Sequence, residues 1–136
     1  MNNEFILPVQ VFIEDTDMSG AVYHANYLNY MERGRTAWCN ALGIRLEQWA
    51  YQGIHFVVRQ AKVDYLVPAY WNDRLEVVSR IANRSYTYLE YQQQIRQQET
   101  KQRIFCEALI KVVCVNQQQK PRRIPAELAE GILSDN

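Results

Sequence analysis

The chain has 136 residues, of which 48% are hydrophobic and 22% charged, and 15 basic side chains balance 15 acidic ones. This length predicts one domain, residues 1–136, whose core needs no metal or disulfide. Zero net charge argues against a nucleic-acid binder, which usually carries a positive excess. No apolar run approaches the roughly 18 residues of a membrane span, and the first residues lack a signal-peptide pattern. We therefore expect a cytoplasmic protein that does not insert into a membrane.

The first predicted strand covers residues 6–14, where apolar and other side chains alternate. One face carries Leu7, Val9, Val11 and Ile13, and the other carries Gln10, Phe12 and Glu14. Residues 15–25 are rich in Asp, Thr, Ser and Gly, which predicts a loop.

A helix is predicted from Asn26, which can cap its start, to Leu42, before Gly43. At 100° per residue its apolar stripe comprises Tyr27, Leu28, Met31, Gly34, Trp38 and Leu42. The opposite face comprises Asn29, Arg33, Thr36 and Asn40. A glycine inside a helix costs about 1 kcal/mol relative to alanine. Gly34 therefore predicts that a backbone or a ligand packs too closely there for a side chain. Arg35 lies beside the stripe and is expected either to pair with Glu32 or to reach an interface.

The rest of the chain predicts a helical turn at Leu46–Tyr51 and strands over 57–65, 75–81, 87–97 and 104–115. A hairpin loop is predicted at 98–102, solvated glutamines at 92–94 and 117–119, and a final helix from Pro125 to Leu133. Consecutive strands with short turns imply an antiparallel sheet. Only the long helix can cover its apolar face. We therefore predict an α+β fold in which about five strands wrap around one long central helix.

Cysteine and histidine spacing argues against disulfides and metal sites. Cys39, Cys106 and Cys114 are an odd number without close spacing. Cys106 and Cys114 share a predicted strand, which would hold them ~26 Å apart, beyond disulfide reach. His24 and His55 are far apart in the sequence, with no cysteine pair between them. We expect no metal and no cofactor.

Residues 14–27, EDTDMSGAVYHANY, run from a strand through a glycine-containing loop into a helix start. A helix start offers unpaired N–H groups and partial positive charge, and a preceding carboxylate can approach the same point. Together these groups suit hydrolysis of an activated acyl group. The residues alone leave other readings open. Asp17 can form an Asx turn, His24 can cap the helix, and Asp15 can shape the strand exit.

The segment resembles the signature of the 4-hydroxybenzoyl-CoA thioesterase family, which has the hotdog fold, and is most similar to its Tol-Pal-associated acyl-CoA thioesterase branch. The matching residues are Glu14–Asp17, Gly20, Val22–Ala25, Tyr27, Glu32–Arg33, Arg35–Thr36, Phe56–Val58, Tyr65, Pro68–Ala69, Asp73, Val113–Val115 and Lys120–Pro125. The resemblance therefore spans about residues 7–126.

The resemblance implies an acyl-CoA thioesterase in which Asp17 attacks the thioester carbonyl or activates water. His24 would polarise the carbonyl or orient Asp17. Tyr23, Ala25 and Tyr27 would form the oxyanion and substrate-positioning site. The resemblance also implies a homodimer or homotetramer whose sheets join edge to edge, with the site between protomers.

Coenzyme A carries phosphates, so a neutral protein needs a local basic patch. The main candidates are Lys120, Arg122 and Arg123, with Arg59, Lys62 and Arg84 as further candidates. These six side chains could equally be solvated surface charges. The alternative function is a non-catalytic protein that binds acyl groups or acts with acyl carrier protein or an envelope-associated complex.

Overall fold

The computed structural model describes residues 3–133. The strands are β1 (Phe5–Gln10), β2 (His55–Tyr65), β3 (Arg74–Arg84), β4 (Tyr88–Gln97) and β5 (Ile104–Val115). The helices are α1 (Asn26–Ala41), α2 (Leu46–Tyr51) and α3 (Ala126–Leu133), and Ile13–Asp15 forms a 3₁₀ turn. Within residues 3–133, every helix is too short or too polar to cross a membrane.

The five strands form one antiparallel sheet in the order β1-β3-β4-β5-β2. This confirms the predicted α+β class and antiparallel sheet. Short turns join β3, β4 and β5 as expected. However, β2 pairs with β5 and not with β3, which follows it in the chain. As a result β1 and β2 are the two edge strands.

The sheet has two ends that matter for the site. Gln10 pairs with Arg74, and Tyr65 pairs with Cys106, so β1 ends, β3 begins and β2 ends at one end of the sheet. The 11 residues of β3 run from there to the opposite end. At about 3.3 Å per residue, the two ends lie roughly 30 Å apart.

The buried stripe of α1 differs in part from the predicted one. Tyr30 and Met31 are fully buried, and Cys39 is also buried, whereas Leu28, which was predicted inside, is exposed. Close packing at Gly34 is confirmed, but the neighbour is not the predicted backbone or ligand. A Cβ built there would lie 2.9 Å from Val77 Cγ1, so the close neighbour is a side chain of β3.

Asn26 was predicted to cap the start of α1, but it does not. Ala25 is the capping residue and makes no side-chain cap bond. Asn26 is the first helical residue, and its Oδ1 accepts a hydrogen bond from Asn29 Nδ2 at 2.9 Å. The helix ends at Ala41, and Gly43 follows with φ +78°, the left-handed conformation that glycine adopts freely.

The first strand is shorter than the predicted 6–14. It ends at Gln10 because Asp15 Oδ2 accepts the Phe12 N–H at 2.9 Å and closes the 3₁₀ turn. Ile13, predicted to face the core, is 63% exposed. The expectation that Asp15 shapes the strand exit is therefore confirmed.

Gln93 was predicted to be solvated, but it is completely buried. Its Nε2 donates to Met31 O at 2.9 Å and to Ser79 Oγ at 2.8 Å. Its Oε1 accepts a hydrogen bond from Arg35 Nη1 at 2.8 Å. Gln93 is thus the hydrogen-bond partner of Arg35, and not Glu32, which was one of the two predicted alternatives.

Candidate active site

A tight turn holds Asp17 where β1 ends and β3 begins. The Asp17 N–H donates to Ala21 O at 2.9 Å, and the Gly20 N–H donates to Asp17 O at 3.1 Å. Gly20 has φ +86°, a conformation that favours glycine. Thr16 and Val22 pair across the turn. The turn therefore fixes the Asp17 backbone beside the start of α1.

The Asp17 carboxylate has one occupied and one free oxygen. Its Oδ1 accepts hydrogen bonds from Ser19 Oγ at 2.6 Å and from the Ser19 N–H at 2.8 Å. These bonds, with a smaller contribution from His24, hold the pKa of Asp17 below its ordinary value. Within the described residues, Oδ2 has no hydrogen-bond partner. The Asx turn is therefore present, and it leaves an ionised, exposed oxygen available.

Ser19 provides a test of which group must be ionised for activity. Ser19→Ala removes the hydroxyl bond, so the pKa of Asp17 should rise while the Ser19 N–H bond remains. If Asp17 acts as a carboxylate, the acid limb of kcat/KM lies below the ordinary titration range of an aspartate in the wild type. The limb should move to higher pH in Ser19→Ala and stay in place in the matched control Ser85→Ala. An unmoved limb in Ser19→Ala would assign the titration to another group.

Two backbone donors lie at the start of α1. The Tyr23 N–H, which was predicted to belong to the oxyanion site, is occupied because it donates to Asp15 O at 2.9 Å. Within residues 3–133, the N–H groups of His24 and Ala25 have no hydrogen-bond acceptor. Unpaired N–H groups at this position can hold a developing oxyanion.

A cavity of about 220 Å³, here called the His24 cavity, opens at the same end of the sheet. It is lined by Val22, His24, Tyr27, Tyr65, Leu66 and Val67, among others. The His24 ring contacts the Tyr65 ring edge-on, with 6.0 Å between centroids. Buried Tyr27 accepts the Ala69 N–H on its hydroxyl at 3.0 Å, and burial raises the pKa of this phenol. His24 and Tyr27 thus share one cavity, whereas Asp17 is not among its lining residues.

The six predicted phosphate-binding residues do not converge on Asp17 within one protomer. Arg84 ends β3, and Lys120, Arg122 and Arg123 follow β5, all at the opposite end of the sheet. The Arg123 guanidinium lies over the Tyr86 ring, 4.7 Å from its centroid.

The other two candidates lie on β2. Arg59 lies at a bulge between Val58 and Gln60, and Lys62 lines a shallow cavity with Asp64 and Glu107. In the part of the chain that the structure describes, no group of three or more His, Cys, Asp and Glu side chains could hold a metal ion.

The cysteines are free and buried. Burial raises the pKa of the Cys39 thiol to about 11 and that of Cys106 to about 12. Thiols with such pKa values carry little thiolate at neutral pH and are poor nucleophiles.

Sequence reasoning missed two features of the site. Ser19, two residues after Asp17, is typical of an Asx turn, so its pairing with Asp17 could have been inferred. The cavity wall at Leu66–Val67 follows β2 and carried only a weak signal, an apolar run outside a predicted strand.

Comparison with known proteins identifies the family. A family model described as the Thioesterase-like superfamily matches residues 11–132. The acyl-CoA thioester hydrolase YbgC of Escherichia coli is 36% identical over 125 residues, which cover 91% of this chain and 92% of the relative. The acyl-CoA thioesterase YbgC of Haemophilus influenzae is 33% identical over 133 residues, which cover 94% and 93%.

Solved structures agree on the fold. A probable thioesterase from Bartonella henselae is 30% identical, with a TM-score of 0.82 over 90% of this chain and 99% of that chain. A 1,4-dihydroxy-2-naphthoyl-CoA thioesterase from Synechocystis has 24% identity and a TM-score of 0.89 over 95% of each chain. The chain belongs to the Thioesterase-like superfamily and shares the hotdog fold of these proteins.

Proposed function

We propose that this protein hydrolyses acyl-CoA thioesters, with Asp17 as the catalytic carboxylate and the amino end of α1 as the oxyanion site. One observation carries the proposal: an ionised carboxylate with a free oxygen lies at the same end of the sheet as the free N–H groups of His24 and Ala25. Membership of the superfamily and the two thioesterase relatives support the activity.

The proposed reaction consumes one water molecule. Asp17 Oδ2 either attacks the carbonyl carbon, forming an acyl-aspartyl anhydride that water then hydrolyses, or takes a proton from the attacking water. In both routes the carbonyl oxygen gains negative charge, which the N–H groups of His24 and Ala25 stabilise. The C–S bond breaks, the coenzyme A thiolate takes up a proton, and a carboxylic acid is released. These steps need no metal or cofactor.

The proposed assembly is a homodimer or homotetramer that completes the site. The free edge of β2 can pair with β2 of a second copy. In an antiparallel, two-fold pairing, the start of the second β2 lies beside the end of the first. The basic residues 120–123 of the second copy would then approach Asp17 and could hold the phosphates of coenzyme A. A mass of about two or four times 16.1 kDa in light scattering is expected, and the mass of a single chain would contradict it.

An acyl-binding role is the second candidate. It is favoured by the absence of Asp17 from the lining of the His24 cavity, which could hold an acyl chain without cleaving it. Acyl carrier protein or a Tol-Pal-associated envelope complex would then be the partner.

For the hydrolytic function, an acyl-CoA substrate also implies a cytoplasmic location.

A substrate panel separates the two functions. Thiol release is measured with acyl-CoAs and acyl carrier proteins that differ in chain length and in aromatic or aliphatic character. Release from at least one acyl-CoA is expected at a kcat/KM of about 10⁴ M⁻¹s⁻¹ or above, an ordinary value for enzymes. Tight carrier-protein binding without release from any substrate would support the acyl-binding function and contradict hydrolysis.

A further inference from the structure

A second cavity, of about 180 Å³, lies farther along α1 and is here called the Arg35 cavity. Its lining includes Glu32, Arg35 and Cys39 of α1, Phe56 and Val58 of β2, and Tyr91 of β4. The His24 cavity is also lined by residues of α1 and β2, namely Tyr27 and Tyr65. Both cavities therefore lie along α1 and the edge strand β2, and the path from one to the other is here called the groove.

The groove has a defined direction and length. From Asn26 to Arg35 the helix advances nine residues, or about 13 Å at 1.5 Å per residue. An acyl chain whose thioester lies at the start of α1, as proposed above, can follow the groove toward Arg35. The far end of the chain would then meet the Arg35 guanidinium.

The Arg35 guanidinium is held in place but is incompletely paired. Its Nη1 donates to Gln93 Oε1, and Gln93 is itself fixed by Ser79 and by the backbone of α1. The guanidinium also lies over the Tyr91 ring, 5.8 Å from its centroid. Within residues 3–133, no carboxylate lies at ion-pair distance from it. A guanidinium has five N–H donors, and Arg35 is only half-buried, so its remaining donors can reach an incoming acceptor.

Among the described residues, the other titratable groups around the cavity do not form an ion pair with the Arg35 guanidinium. Burial lowers the pKa of Arg35, and the charge of Glu32 acts in the opposite direction. Glu32 lies three residues earlier on α1 and is exposed, so water solvates its carboxylate. Cys39 and Tyr91 also face the guanidinium, and burial raises the pKa of both groups, which keeps them neutral. Glu32 and Arg35 are therefore the charged groups that line the cavity, and Arg35 is the more enclosed of the two.

Resting on the proposed thioesterase function, we propose that Arg35 forms a specificity subsite for the far end of the acyl group and selects acyl chains that end in a carboxylate. A guanidinium binds a carboxylate through two parallel hydrogen bonds, which are stronger than neutral ones. The apolar side chains Phe56 and Val58 line the same cavity and suit the methylene chain.

Matched substrate pairs test the subsite. Acyl-CoAs of about six to twelve carbons, a range set by the 13 Å of helix, are compared with a methyl or a carboxylate at the far end. At the best length the wild type should hydrolyse the carboxylate-ended substrate at least about 10-fold faster in kcat/KM. Arg35→Gln keeps a donor for Gln93 but loses the charge, so the ratio should fall to about one.

Two neighbouring variants serve as controls. Arg33→Gln removes a charge from the exposed face of α1, outside the Arg35 cavity, and should leave the ratio unchanged. Glu32→Gln removes a carboxylate that lines the same cavity and should raise the ratio. A wild-type ratio near one, or a ratio that survives Arg35→Gln, would overturn the subsite. If Arg35→Gln changed the mass in solution but left the substrate ratio unchanged, the subsite would also be overturned, because the guanidinium would then pair with a second copy.

A binding measurement separates this inference from the thioesterase function. Calorimetric titration of the wild-type protein compares monomethyl esters of dicarboxylic acids, which keep one carboxylate, with methyl esters of monocarboxylic acids of equal length, which have none. At least about 10-fold tighter binding of the carboxylate-ended esters, lost in Arg35→Gln, would support the subsite even if no acyl-CoA were cleaved. Equal binding of the two kinds of ester would overturn the subsite and leave the hydrolytic function untouched.

Discussion

Replacing Asp17 by Asn should remove nearly all thioester hydrolysis while leaving the fold unchanged. An amide can neither attack the carbonyl carbon nor accept a proton from water, and such groups typically contribute 10²–10⁴-fold to the rate. We therefore expect kcat to fall at least about 100-fold. The variant should fold because Asp17 is exposed and an Asn Oδ1 can still accept both Ser19 hydrogen bonds.

The matched control is Glu14→Gln. Glu14 is an exposed carboxylate three residues before Asp17 on the same segment, so its replacement changes the charge equally. Thiol release in Glu14→Gln should stay within about 3-fold of wild type, since screened surface charges contribute little. Both variants should melt at the wild-type temperature. Asp17→Asn turning over at the wild-type rate would show that another group performs the chemistry.

Replacing Gly34 by Val should strongly destabilise the protein. The new Cβ would lie 2.9 Å from Val77 Cγ1 and 3.2 Å from Ser79 Oγ, so α1 and β3 would have to separate. Overpacking of this kind typically costs 1–3 kcal/mol, and two further methyl groups place the loss at about 3 kcal/mol or more. For a chain of this size the melting temperature should fall by about 10 °C.

Ala37→Val is the matched control for Gly34→Val. Ala37 lies one turn later on α1 and is only half-buried, so a branched side chain there mainly costs helix propensity. We expect a loss below about 1 kcal/mol in Ala37→Val, measured by chemical unfolding. Equal losses in the two variants would contradict close packing of α1 on β3 at Gly34.

The local patterns of the sequence predicted most elements because hydrophobic periodicity reports which side of a helix or strand is buried. The alternation of Leu89, Tyr91 and Ile95 also places Gln93 on the buried side of β4, yet its polar side chain suggested solvent. Gln93 is buried because Met31, Ser79 and Arg35 satisfy its amide. None of these partners is close in sequence, so only the folded structure reveals them.

Local sequence patterns also could not predict which distant strands pair in the sheet. β2 is followed in the chain by β3, but the sheet places β2 beside β5, which makes β2 an edge strand. Arg84 and residues 120–123 lie apart from Asp17 because β3 and β5 both end at the opposite end of the sheet. The early end of β1 depends on a single bond from the Phe12 N–H to Asp15, which alternation cannot predict.

All of the proposed chemistry depends on where a bound thioester places its oxygen. A crystal structure of Asp17→Asn with an acyl-CoA bound tests this directly. We predict a carbonyl oxygen about 3 Å from the N–H groups of His24 and Ala25, with the side chain at position 17 facing the carbonyl carbon. A carbonyl oxygen away from the start of α1, or an acyl chain beyond the reach of position 17, would contradict the account.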